Sequence, residues 1–173
     1  EKVVDWLACD VDSNTISNDQ FGFLSDEHIV AVTYESSNDG GSRQQILVLA
    51  RADADSVQPK TELTLACFGL DYNLRSQIVK FNRSSADYRI VVKDYSEYAT
   101  DDDYNAGLTK LNTEIISGSV PDLIANSMLL PIRQYAAKGL LEDLWPYIDA
   151  DPECSRDKLM TKPLESLQTD GKL

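Results

Sequence analysis

Histidine occurs once in the 173 residues, at His28, where it opens an apolar run with no serine or cysteine motif beside it. A Ser-His-Asp triad and a histidine metal centre are therefore not expected. The three cysteines, Cys9, Cys67 and Cys154, are odd in number and far apart. They give neither a disulfide framework nor a CxxC metal knuckle, and Cys67, inside an apolar run, reads as a small core residue. GxGxxG, P-loop and GxSxG patterns are absent, so no cofactor or nucleophile motif is present. No apolar run approaches eighteen residues, so no membrane-spanning helix is expected. No charged-then-apolar leader follows Glu1, and because Glu1 is not methionine, residues upstream of it are allowed for. Bases are scarce too, 16 against 29 acids, for a net charge of −13. With no basic stripe, nucleic acid is not an expected partner. The acidity is concentrated: residues 1–60 carry −7 and residues 61–173 carry −6. It reads as a soluble, self-repelling surface.

What is present is enough for a packed core. Hydrophobic residues make up 42% and charged residues 26% of the chain, and the length suits one domain or one and a half. Residues 1–52 read as β. The apolar run 3–9 contains Trp6, and 10–19 is a turn-rich connection. Strands are expected at 21–24 and 28–34, joined by a hairpin loop at 25–27. The polar loop 36–42 leads to another strand at 45–50. Three or four antiparallel strands of this kind have exposed edges and little core of their own. The polar stretch 52–60 contains Pro59, and its residues 53–60 read as a linker between the β-rich segment 1–52 and a second segment, 61–173.

The chain is organised around 61–131. Apolar runs at 63–68, 89–92 and 123–125 alternate with two amphipathic stretches. The first, 72–82, places Leu74, Ile78, Val79 and Phe81 at near-helical spacing. The second, beginning at the N-cap candidates 100–103, carries Leu108, Leu111, Ile115 and Ile116 as a stripe that buries one face and stops at Gly118. This alternation predicts an α/β fold with a parallel sheet and crossover helices. Ligands of such sheets bind beyond the carboxyl ends of the strands. The candidate ligand-binding residues are therefore Phe68, Gly69, Leu70 and Asp71 after the first strand, Tyr95 and Ser96 after the second, and Asn126, Ser127 and Met128 after the third. Gly69 would let backbone approach a ligand, Phe68 would stack on a sugar face, and Asp71 would accept hydroxyl hydrogen bonds. The structural reading of the same residues is a strand-to-helix turn with Asp71 as the helix cap. Further on, Pro131 suits a helix first turn, 140–148 is an apolar segment broken at Pro146, 151–160 reads as a short capped helix, and 164–173 is ambiguous.

These pieces together resemble a known family. They are Leu-Thr-Leu-Ala at 63–66, Val79-Lys80-Phe81-Asn82, Tyr88-Arg89-Ile90-Val91-Val92, the helix end Glu114-Ile115-Ile116-Ser117-Gly118, Pro121-Asp122-Leu123-Ile124, and Gly139-Leu140-Leu141-Glu142-Asp143-Leu144. In that order they resemble the amino-terminal part of sugar-binding extracellular solute-binding proteins of ABC transporters, over about two thirds of the chain. The resemblance implies a periplasmic-binding-protein-like (type II) lobe, here partial, with a parallel sheet and flanking helices, preceded by a small antiparallel β segment. It implies a protein that is exported, extracellular or lipid-anchored at the cell surface. It also implies a small-molecule ligand, a sugar or oligosaccharide, clamped between two lobes, and docking onto a membrane permease. No catalysis and no cofactor are implied. The chain departs from the family in carrying 1–52 ahead of the lobe and in ending before a second lobe. Residues 1–52 would then end a larger β domain, a propeller-like one being one form. The alternative is a non-catalytic sensory or protein-interaction module with a vestigial cleft; a second lobe beyond residue 173 would favour transport. The ligand itself stays open: aromatic and acidic residues suit sugars, while peptides, polyamines and phosphate esters fit the same fold.

Other clusters have plainer readings. Asp10, Asp12 and Asn14 begin a calcium-loop spacing that fails at Thr15 and Phe21. Asp101, Asp102 and Asp103 suit a helix start. No metal site is expected. Trp145, Pro146 and Tyr147 read as core after a helix rather than as a sugar platform. No two carboxylates are paired by sequence for acid–base work. The unprotected strand edges in both halves lead us to expect self-association of the chain.

Overall fold

The computed structural model describes residues 4–36, 41–53, 55 and 57–173, and of residues 17–19 and 35–36 the backbone alone. Residue 3 of the first apolar run, residues 37–40 of the polar loop and residues 54 and 56 of the linker lie outside the described residues. The chain is mixed α/β: a small antiparallel sheet, a three-stranded parallel sheet and flanking helices. It forms two compact units, Glu1–Ala125 and Asn126–Leu173. The division falls inside the 61–173 segment, and the 53–60 stretch lies within the first unit. No described helix is long and apolar enough to cross a membrane.

In the first unit, β1 (Ile16–Ser25), β2 (His28–Ser36) and β3 (Ser42–Ala50) form the antiparallel sheet in that order. The β1–β2 hairpin turns on Asp26 and Glu27, close to the expected loop, and Ser25 Oγ lies 3.0 Å from His28 Nδ1 at its corner. The apolar run 3–9, read as part of a β-rich segment, gives instead a turn over Trp6–Asp10. Val11 N–H donates to the Trp6 carbonyl, Asp10 takes φ 55°, and Trp6 meets Phe21 edge-on at 5.7 Å. Long-range partners explain the difference. Arg83 Nε donates to the Asp10 carbonyl at 2.8 Å, and Arg89 pairs through both terminal nitrogens with the Asp10 carboxylate and also reaches the Ala8 carbonyl. These arginines tie the segment to α1 and β5, and it turns there instead of entering a ladder.

The parallel sheet runs β5–β4–β6, with β4 (Thr61–Cys67) in the centre, β5 (Tyr88–Asp94) on one side and the two-residue β6 (Leu123–Ile124) on the other. β4 and β5 are in register from Thr61↔Tyr88 to Cys67↔Asp94. Helix α1 (Tyr72–Ser84) connects β4 to β5, and its spacing buries Ile78, Val79 and Asn82. Helix α2 (Ala106–Ile116) connects β5 to β6 and buries Gly107 and Leu111. Two details differ from expectation. The loop 100–103 closes on itself, Thr100 N–H donating to the Asp103 carbonyl, so α2 starts later, at Ala106, with Asn105 at the cap position making no side-chain cap bond. Ile116, the last residue of the expected stripe, is 87% exposed; Gly118, at φ 90°, ends the helix as expected.

The second unit holds α3 (Ile132–Ala137), α4 (Trp145–Ala150) and α5 (Thr161–Leu167). Pro146 does not break an apolar segment; it stands in the first turn of α4, where its missing N–H costs nothing. The stretch 151–160 contains only a 3-10 turn, Arg156–Lys158, without a side-chain cap. Trp145 is buried beneath the Arg156 guanidinium, 3.9 Å from the ring centroid, and Arg156 is held by Asp149; Tyr147 is exposed.

Candidate functional site

The carboxyl ends of β4 and β5 are tied together by one carboxylate that the sequence reading passed over, Asp94. Its Oδ1 accepts from Gly69 N–H at 2.9 Å, Ser96 N–H at 2.9 Å and Ser96 Oγ at 2.7 Å. Burial alone would push the Asp94 carboxyl upward, but these donors, with the Leu70 N–H, hold it below the usual carboxylate range. Gly69 sits at φ 85°, a conformation that a side chain would strain, and this lets the chain turn back toward Asp94. Asp71 then caps α1, its Oδ1 accepting from Asn73 N–H at 2.8 Å and Leu74 N–H at 3.0 Å.

Under these turns lies an aromatic floor. The Phe68 and Tyr95 rings are 5.9 Å apart and Tyr95 and Tyr98 are 6.0 Å apart. Helix α2 approaches so closely that a Cβ on Gly107 would fall 2.1 Å from the Tyr95 carbonyl oxygen and 3.3 Å from the Phe68 ring. The Tyr95 hydroxyl donates to Glu114, which also binds Lys93 Nζ at 2.7 Å and Lys110 Nζ at 3.2 Å. Those donors, Lys93 first, hold the Glu114 carboxyl down to about 2, while burial and the Glu114 carboxylate push Tyr95 up to about 12. Burial likewise raises the Cys67 thiol to about 11, in keeping with a core residue.

The structure thus brings Phe68, Gly69, Leu70, Asp71, Tyr95 and Ser96 to one end of the parallel sheet. Gly69, Asp71 and Ser96 are exposed there and Phe68 and Leu70 are half-buried. Tyr95 is 1% exposed, so its side chain supports the floor rather than facing solvent. Asn126, Ser127 and Met128 belong to the second unit, where they line an open cavity of about 330 Å³ with Leu130, Pro131 and Arg133. Ser127 Oγ there accepts from Leu129 N–H at 3.3 Å.

Chemically, the strand-end surface offers carboxylate and hydroxyl acceptors beside an aromatic edge, and the two cations that stand over its aromatic floor, Lys93 and Lys110, are both paired with Glu114. That set favours hydroxyl donors over anions. Among the described residues no three His, Cys, Asp or Glu side chains stand close enough to hold a metal ion. Asp10 is engaged by Arg89, and Asp12 Oδ1 accepts from Asn14 N–H. The sequence does not single out Asp94 and Glu114, because Gly69 and Lys93 stand 25 and 21 positions away from them; the local signals are Ser96 beside Asp94 and the i, i+4 pair Lys110–Glu114. No protein-family model, curated protein or solved structure matches the chain.

Proposed function

We propose that this chain is part of an exported solute-binding receptor of the periplasmic-binding-protein type II kind, which captures a carbohydrate for uptake by an ABC transporter, held at the cell surface and docking onto its permease. The observation that carries the proposal is the strand order. With β4 between β5 and β6, the crossover through α1 leaves β4 for β5 and the crossover through α2 runs back from β5 past β4 to β6, and the ligands of open α/β sheets bind beyond the strand ends where the direction reverses in this way. The turn Phe68–Asp71 lies at that end; Asp94, the last residue of β5, accepts from its Gly69 N–H, and Ser96 in turn donates to Asp94. The acceptors match sugar hydroxyls, and the half-buried Phe68 ring matches an apolar sugar face. The reading includes no catalytic step. Asn126, Ser127 and Met128, in their own cavity, remain part of the proposed ligand set.

The test is a thermal-shift screen of the chain against mono- and oligosaccharides, with amino acids and peptides as controls. A ligand that binds only the folded state raises the melting temperature by mass action. One sugar class should give a saturable rise that Phe68→Ala and Asp71→Ala both abolish. A rise with peptides alone, or one indifferent to both substitutions, would refute the assignment. A second reading, a protein-interaction module, is favoured by a separate observation: Phe21, Phe23, Ile46 and Val48 of the antiparallel sheet are all more than half exposed.

A further inference from the structure

The antiparallel sheet has two edges that differ in kind. β1 is irregular: its pairing with β2 shifts register between Ile16 and Phe21 and again between Phe23 and Ser25. Such bulges twist an edge away from further pairing. β3 is regular, pairing with β2 at all nine positions from Ser42↔Ser36 to Ala50↔His28, and its outer side meets no strand among the described residues. Its own sequence carries little of the usual edge protection. From Ser42 to Ala50 there is no proline, no lysine and no acid, and Arg43 is the single charge. Register places Val30 with Val48, Val32 with Ile46 and Tyr34 with Gln44 on one face. Ile46 is 75% exposed on that face and Val48 52%.

We propose that β3 pairs antiparallel with β3 of a second copy of this chain, forming a continuous six-stranded sheet. Charge selects this occupant. A chain of net charge −13 repels its own copies over most of its surface, but this edge carries no acid, so two copies meet here without repulsion. The strand is also self-complementary. A two-fold axis at Ile46 sets Ile46 opposite Ile46 and Gln44 opposite Val48, and puts each Arg43 opposite Leu49, with the two guanidinium groups at opposite ends. The inference is independent of ligand capture.

Sedimentation velocity of the full chain over a rising concentration series tests it. The wild type should shift from monomer to dimer. Ile46→Lys sets two ammonium groups across the axis and should weaken the dimer roughly tenfold or more, and Val48→Lys should weaken it too. Phe23→Lys, on the irregular β1 edge, should leave it unchanged. With Cys9→Ser and Cys154→Ser in place, Ile46→Cys should give a disulfide-linked dimer on mild oxidation. A wild type monomeric throughout overturns the proposal, as does a dimer indifferent to both lysines or broken equally by Phe23→Lys. Melting curves of each variant confirm that these exposed positions leave the fold intact.

Discussion

The two sheets of the first unit finish their edges in opposite ways. In the parallel sheet, β5 is an edge strand, yet its backbone is answered at mid-strand: Asn82, 1% exposed on α1, donates Nδ2 to the Ile90 carbonyl at 3.0 Å and accepts from Ile90 N–H at 2.7 Å. A helix side chain there plays the part of a neighbouring strand. In the antiparallel sheet β3 meets no further strand on its outer side among the described residues, and apolar residues stand exposed beside that edge. The parallel sheet is therefore finished sideways and exposes its strand ends, where we place ligand capture. The antiparallel sheet is unfinished sideways, where we place association. An unanswered row of backbone groups is as informative about partners as a pocket is about ligands.

The sharpest way to break the parallel half is Gly107→Ala. The added methyl would meet the Tyr95 backbone at 2.1 Å, and backbone cannot yield as a flexible side chain would. We expect a loss of about 3 kcal/mol in denaturant unfolding, from overpacking, together with loss of ligand response. A loss under about 1 kcal/mol would mean that α2 docks less tightly than described. Next comes Asn82→Ala, which strips β5 of its edge protection. Leaving the Ile90 amide and carbonyl unpartnered should cost about 2–3 kcal/mol, and the bared edge should make the parallel sheet self-associate as well. A stable, unassociated Asn82→Ala protein would erase the contrast between the two edges.

The smallest effect is on pH dependence. Glu114 is held down to about 2 in the folded chain, so its contribution to stability is complete above the ordinary glutamate range and is lost as pH falls from there toward 2. Tyr95 is pushed up to about 12, so its contribution is complete below the ordinary tyrosine range and is lost as pH climbs toward 12. Glu114→Gln should flatten the acid limb of a melting-temperature profile. An unchanged acid limb would remove Glu114 from the account.

Local chemistry made much of this legible in the sequence. The β1–β2 hairpin, the parallel alternation, Asp71 at the head of α1 and the Gly118 stop follow from patterns within a few residues of each other. What escaped depends on distant partners. The apolar run 3–9 reads as part of a β-rich segment, and only Arg83 and Arg89, which take hold of Asp10, show why it turns instead. Asn82 looks like a surface asparagine near a helix end until Ile90 is beside it. Pro146 misled because proline marks both a break and a first turn, and only the chain before it decides. At the candidate site the turns were legible, but the acid that joins them was not.

The central claim, that the carboxyl ends of β4 and β5 receive a carbohydrate, is tested most directly by following backbone amide resonances while sugars are titrated into the chain. The account predicts that the Gly69, Leu70 and Ser96 amides, which all donate to Asp94, move together and saturate with one sugar class. Sugar-induced shifts confined to other residues, or none at concentrations where the thermal screen responds, would contradict it.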